Sequence, residues 1–192
     1  MVYTGSFYYD RQPTVFLDSL ADMMKTRPSI RADLRVVFAG GGRNSLDRLI
    51  AERGLKEVVQ TTGYLPYKEC IELQKQADVL LLFLGPSTLS ETWYPAKLFE
   101  YLATGRPVLA MVPDSAAARL LRQSGTGIIV DPSDRRAIRE CLLALRDRWR
   151  AGALPTLCDV NFPMQFERRR LTQTLAELLH SVVDETEDRG RR

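Results

Sequence analysis

The residue types best suited to chemistry are gathered in one stretch, Tyr94-Pro95-Ala96-Lys97-Leu98-Phe99-Glu100-Tyr101-Leu102-Ala103-Thr104-Gly105-Arg106-Pro107. It follows a long apolar run and a loop. It has the pattern of a helix with Pro95 in its first turn and with Gly105 and Pro107 to stop it. A helix start carries backbone N–H groups without intrahelical partners at the positive end of its dipole, which suits a diphosphate, and Lys97 would add a full charge beside them. At helical spacing Lys97, Glu100, Tyr101 and Thr104 share one face, opposite an apolar stripe of Leu98, Phe99, Leu102 and Ala103. A carboxylate on the ligand side can accept hydrogen bonds from both vicinal hydroxyls of a ribose, so Glu100 is the candidate for that contact. The alternative is a plain surface ion pair between Lys97 and Glu100 at i,i+3 spacing.

A second group of candidates is glycine-marked. Predicted strands end in Thr4-Gly5-Ser6-Phe7, in Ala39-Gly40-Gly41-Gly42 and in Gly63-Tyr64. Glycine lets a backbone approach a phosphate closely, and it also makes sharp strand-to-helix turns that bind nothing. No GxGxxG or GxxxxGK[ST] is present, so neither the dinucleotide nor the Walker phosphate loop is written here. Cys70, Cys141 and Cys158 have no CxxC spacing and His180 stands alone, so no zinc site is expected and no cofactor is assigned. The thiols read as reduced, which places the protein in the cytoplasm, with any membrane attachment left to a part outside this sequence.

The elements that must position these residues alternate short apolar runs with amphipathic segments. Strands are predicted at 2–7, 34–39, 57–62, 78–84, 107–112 and 127–130, most of them too apolar for a half-exposed sheet. Helices are predicted at 13–25, 46–53, 67–76, 95–104, 115–123, 134–149 and from 166 to about 183. The fold class expected is α/β, a Rossmann-like three-layer domain with a parallel sheet of about six strands. Residues 1–160 form that domain, 161–184 a C-terminal helix, and 185–192 a charged, disordered tail.

At 192 residues, 45% hydrophobic and 27% charged, the chain can bury a full core without disulfides or metal. The net charge of +3 is scattered, with Arg168-Arg169-Arg170 the main cluster, so no nucleic-acid partner is expected. No apolar run is long enough to span a bilayer. Met1 and Val2 lead straight into strand-like residues, as expected of a cut from a longer protein.

The stretch KLFEYLATGRPVL, preceded by Pro95 and followed by a short helix and Ser124-Gly125-Thr126-Gly127, resembles the donor-site region of GT-B glycosyltransferases of the group 1, family 4 type. TGSFYYDRQP, VVFAGGG, TTGYLPYKE and ADVLLL resemble further family segments in the same order, so the resemblance runs from about Val2 to Leu145. It implies one half of a GT-B fold, the half that binds a nucleotide diphosphate sugar. Transfer would then be to an acceptor on an N-terminal domain of the same full-length protein, with retention and without a metal. It implies that Glu100 holds the ribose and that the backbone at Pro95, Ala96, Lys97 and Leu98 holds the diphosphate. Gly5 and Ser6 would face the diphosphate, Gly63 and Tyr64 border the base, and Arg11 supplies a basic phosphate ligand. The family's Glu-x7-Glu motif would put its first glutamate at Thr92, with Glu91 one residue early; these two are the candidates on the donor-sugar side. The resemblance also implies that the last helix crosses to the N-terminal domain. Two other readings share the architecture: a GT-B-like sugar-nucleotide epimerase, and a nucleotide-binding module without transfer activity.

Overall fold

The computed structural model describes residues 1–7, 13–85 and 92–190. The chain divides into two compact units, Met1–Cys158 and Asp159–Arg192. Among the described residues the first contains six parallel strands, β1 Val2–Thr4, β2 Val36–Ala39, β3 Val59–Gly63, β4 Leu80–Phe83, β5 Val108–Met111 and β6 Gly127–Val130. They lie in the order β3-β2-β1-β4-β5-β6. The order reverses between β1 and β4, and a crevice opens at such a reversal because the connections on its two sides leave in opposite directions.

The α-helices described in this unit are α1 Thr14–Thr26, α2 Arg43–Glu52, α3 Tyr67–Gln76, α4 Ala96–Thr104, α5 Ala116–Ser124 and α6 Arg135–Arg150. Every strand-to-strand connection carries a helix, and right-handed crossovers put those before and after the reversal on opposite faces of the sheet. Thus α1, α2 and α6 share a core with Tyr3, Phe38, Leu81 and Leu109, whereas α3 and α4 meet the opposite face at β1. Both faces are covered, which is why β4 and β5 read as unbroken apolar runs, with Leu80, Leu81 and Val108 to Ala110 wholly buried.

An aromatic cluster lies beneath the carboxyl ends of the central strands. Tyr3 stacks on Phe7 at 4.4 Å between ring centroids, and Phe83 meets Tyr3, Phe7 and Phe16 edge-on at 5.4, 5.7 and 5.5 Å. Each such pair adds about 0.5–1.5 kcal/mol beyond its buried area, so the loop after β1 rests on a stiff floor. Away from it, Asp18 of α1 binds Arg53 at 2.6 Å and Asp22 binds Arg135 at 2.9 Å, tying α1 to the end of α2 and to α6.

The second unit contains a short 3-10 turn, Phe162–Phe166, and α7, Arg168–Gly190. The helix runs past the end predicted near residue 183 and takes in most of the stretch 185–192 read as a disordered tail. Once a helix is nucleated, extension needs no packing partner, and the sequence offers no glycine or proline before Gly190. Leu171, Leu175, Leu178 and Leu179 are 52–59% exposed.

Candidate functional site

The first three strands end in a staircase of backbone hydrogen bonds. Gly5 N–H donates to Ala39 O at 2.7 Å, and Gly40 N–H donates to Gly63 O at 2.8 Å. The second step depends on a register shift between Phe38 and Ala39, which pairs Ala39 with Gly63 after Phe38 has paired with Thr61. Gly41 N–H donates to Ser6 Oγ at 2.9 Å. The glycines are required by these close approaches. Gly40 has φ +149°, and a Cβ there would sit 2.0 Å from Gly5 O; at Gly5, φ +135°, a Cβ would sit 2.3 Å from Lys97 Nζ. The turn-forming explanation of residues 40–42 therefore holds, in a specific form: they let the loop after β2 nest against the loop after β1.

Across the reversal, Pro95 precedes α4 with extended backbone, and among the described residues no side chain caps the helix start. Leu98 N–H donates back to Pro95 O at 2.9 Å, so the helix opens with a tight turn. Lys97, half-buried, donates from Nζ to Tyr3 Oη at 2.9 Å and lies 4.1 Å from that ring's centroid. The ammonium is thus held over the end of β1, against Gly5.

Glu100, also half-buried, accepts from Gln74 Nε2 at 3.0 Å. The same nitrogen donates to Thr4 Oγ1 at 2.9 Å. Thr4 N–H donates to Tyr101 Oη at 3.1 Å, and the two hydroxyls lie 3.4 Å apart. A buried polar chain therefore links α4, α3 and the last residue of β1. Burial pushes the Tyr101 phenol up to about 12, against the hydrogen bonds from Thr4, so it stays a neutral donor and acceptor. Burial, and after it the Glu100 carboxylate, pushes the Cys70 thiol up.

The structure brings Gly5, Ser6, Lys97 and the start of α4 to one end of the sheet, with Glu100 a turn further along. Pro95 and Leu98 are buried, Ala96 is exposed, and Gly63 leads into Tyr64, which is 88% exposed at the rim. Thr92 lies in an exposed turn. Arg11 and Glu91 fall outside the described residues. Two helix-face assignments change. Tyr101, placed with Lys97 and Glu100, is wholly buried, and Ala103, placed in the core stripe, is exposed. The buried stripe of α4 is Leu98, Tyr101 and Leu102, because Thr4 offers the Tyr101 hydroxyl a buried partner.

Sequence reasoning missed Gln74, Thr4 and Tyr3. The trace of Gln74 was there: it falls three and four residues after Ile71 and Cys70, on the inward stripe of α3, where a polar residue needs a partner. Hollows of about 300 and 270 Å³ lie elsewhere, at the amino ends of the strands around Trp149. Neither includes a residue of this cluster.

The strand order, the parallel pairing and the site at the reversal define the class, a Rossmann-like α/β domain of the kind that forms one half of a GT-B fold. The chain belongs to the family of glycosyl transferases group 1, whose model matches residues 1–148. Among solved structures, Alr3699/HepE from Anabaena, in complex with UDP-glucose, superposes with a TM-score of 0.63 at 18% identity, covering 94% of this chain and 48% of that one. The C-terminal domain of the group 1 glycosyl transferase LpcC from Francisella tularensis gives 0.61 at 13% identity, covering 88% of this chain and 85% of that domain. The pneumococcal O-GlcNAc transferase GtfA, in complex with UDP and GlcNAc, gives 0.61 at 16% identity, covering 95% and 35%. This chain thus spans about half the length of the Anabaena protein. No curated protein matches the sequence. Among the described residues no helix is long and apolar enough to cross a membrane.

Proposed function

We propose that this domain binds a nucleotide diphosphate sugar and presents it for transfer to an acceptor held by an N-terminal domain outside this sequence. The observation that carries the reading is the convergence of Lys97, the start of α4 and the Gly5-Ser6 loop at the strand reversal, with Glu100 beyond them. The relatives solved with UDP-glucose, or with UDP and GlcNAc, share this fold and support the same ligand class.

In this reading the helix start and Lys97 bind the diphosphate and stabilise the charge that develops on it as the sugar departs. Arg11 adds a second cation, and Glu100 accepts from the ribose hydroxyls. Gly63 and Tyr64 border the base. Thr92 and Glu91 are the candidates for the donor-sugar contact, and transfer proceeds with retention and without a metal, in keeping with family membership. Because Gly5 N–H is already bonded to Ala39 O, the part of Gly5 is to leave room for the Lys97 ammonium.

Calorimetric titration of this chain with UDP, GDP, ADP and their sugar conjugates tests the binding step. One nucleoside diphosphate should bind well above the others, and heat from none of them would end the reading. Release of nucleoside diphosphate by the full-length protein in the presence of an acceptor tests transfer, and binding without release would favour the non-transferring module.

A further inference from the structure

We propose that Gln74 is the positioning residue that gives this site its preference for ribose over deoxyribose, by holding the Glu100 carboxylate in register with the end of β1. The inference rests on the nucleotide-binding reading and adds a residue to it that touches no ligand.

Gln74 is the buried residue of α3, wholly enclosed between Thr4 and Glu100. One nitrogen serves both neighbours, Thr4 Oγ1 at 2.9 Å and Glu100 Oε2 at 3.0 Å. A carboxylate oxygen only accepts, so the amide atom facing Glu100 must be the nitrogen, and both of its hydrogens are committed. The amide cannot flip. The consequence is that Gln74 Oε1 is buried and finds no donor among the described residues.

A buried carbonyl without a donor is a cost, and stability alone does not call for it. An apolar side chain of the same length would fill the space and leave no orphan. Thr4 Oγ1 would keep its Tyr101 neighbour, and half-exposed Glu100 would keep access to water. What an apolar side chain would lose is the fixed orientation of Glu100. With Oε2 held by Gln74, the carboxylate plane is set and Oε1 is left to accept from a ribose hydroxyl. Thr4, the other anchor, directly precedes Gly5, so one amide spaces the ribose contact against the diphosphate loop. Geometric precision of this kind is what a charge-assisted hydrogen bond to a ligand needs.

The test is calorimetry on the full 192-residue chain with UDP, GDP and ADP, each beside its 2′-deoxy counterpart. The wild type should prefer the ribonucleotide by at least about tenfold, the size of one charge-assisted hydrogen bond. Gln74→Met should reduce that ratio to below about threefold while melting within a few degrees of wild type, because Met matches the length and removes the orphan. A variant that keeps the wild-type ratio overturns the proposal. A wild type that binds both sugars equally overturns it too, while leaving the nucleotide reading standing. A wild type that binds no nucleoside diphosphate removes both. Should Gln74→Met fail to fold, Thr4→Val, which removes one anchor of the amide, decides by the same ratio: a lowered ratio supports the proposal and an unchanged one refutes it.

Discussion

Replacing Gly5 by alanine separates room for a side chain from room for a backbone, because Gly40 offers a matched comparison. An alanine Cβ at Gly5 would lie 2.3 Å from Lys97 Nζ. Ordinary contact begins near 3.4 Å, so the ammonium must retreat by about 1.1 Å, enough to break its 2.9 Å bond to Tyr3 Oη. Lysine is flexible and can move. The remaining cost is the positive φ, about 1–3 kcal/mol, which lowers Tm by about 2–12 °C in a chain of this size. At Gly40 the obstacle is Gly5 O at 2.0 Å, a backbone atom in a residue whose N–H is bonded to Ala39 O. Nothing flexible can yield there, so Gly40→Ala should lose more than about 4 kcal/mol or fail to fold. Chemical and thermal denaturation measure both variants, and titration with UDP and uridine reads the site: Gly5→Ala should weaken UDP about tenfold and uridine much less. A Gly5→Ala chain that melts and binds like wild type, or a Gly40→Ala chain milder than Gly5→Ala, would refute the reasoning.

Glu100→Ala should weaken nucleoside diphosphate binding by about 1.5–3 kcal/mol in calorimetry, with little change in Tm. Lys97→Ala should cost UDP far more affinity than uridine, and equal losses for the two would remove the lysine from the phosphate site. Asp33 accepts from Arg150 and Arg146, and the Arg150 guanidinium, then that of Arg146, holds its carboxyl below the usual carboxylate range. A depressed folded value stabilises above the unfolded pKa, near 3.9, and that contribution fades as pH falls through the folded one, so Asp33→Asn should flatten the acid limb of the stability curve. The exposed leucines of α7 should gain hydrogen-exchange protection in the two-domain protein that the proposed function implies; protection already complete in this chain alone would argue against a crossing helix.

Much of the fold was legible because periodicity speaks to local structure. β6 at Gly127–Val130 and α3 at Tyr67–Gln76 coincide with their predicted ranges. β1 is shorter than its predicted range, since at Gly5 the chain turns and Ser6 Oγ accepts from Gly41 N–H. α2 begins at Arg43, three residues before its first apolar position, because Gly42 at φ +87° starts the helix. The candidate site was legible where motif and helix start coincide, at Pro95, Lys97 and Glu100. The polar chain was not, because its partners are remote in sequence: Thr4 meets Gln74 and Tyr101 across 70 and 97 residues. Tyr101 illustrates the difficulty. Its helical phase allows either face, and only the Thr4 neighbour decides.

The staircase joining the first three strand ends also divides the site into parts that differ in their tolerance of change. Gly5, Gly40 and Gly63 are joined through the main chain, so altering one displaces the others. Tyr64, which follows Gly63 in the chain, and Trp93, in the segment before α4, are 88% and 42% exposed. Under the proposed function, a library aimed at new donor preferences gains most by diversifying Tyr64 and Trp93 while leaving the glycines, Thr4 and Gln74 as they are. Natural variation among proteins built on this frame should fall along the same line, with substitutions accumulating at the rim and the interlocked strand ends held nearly constant.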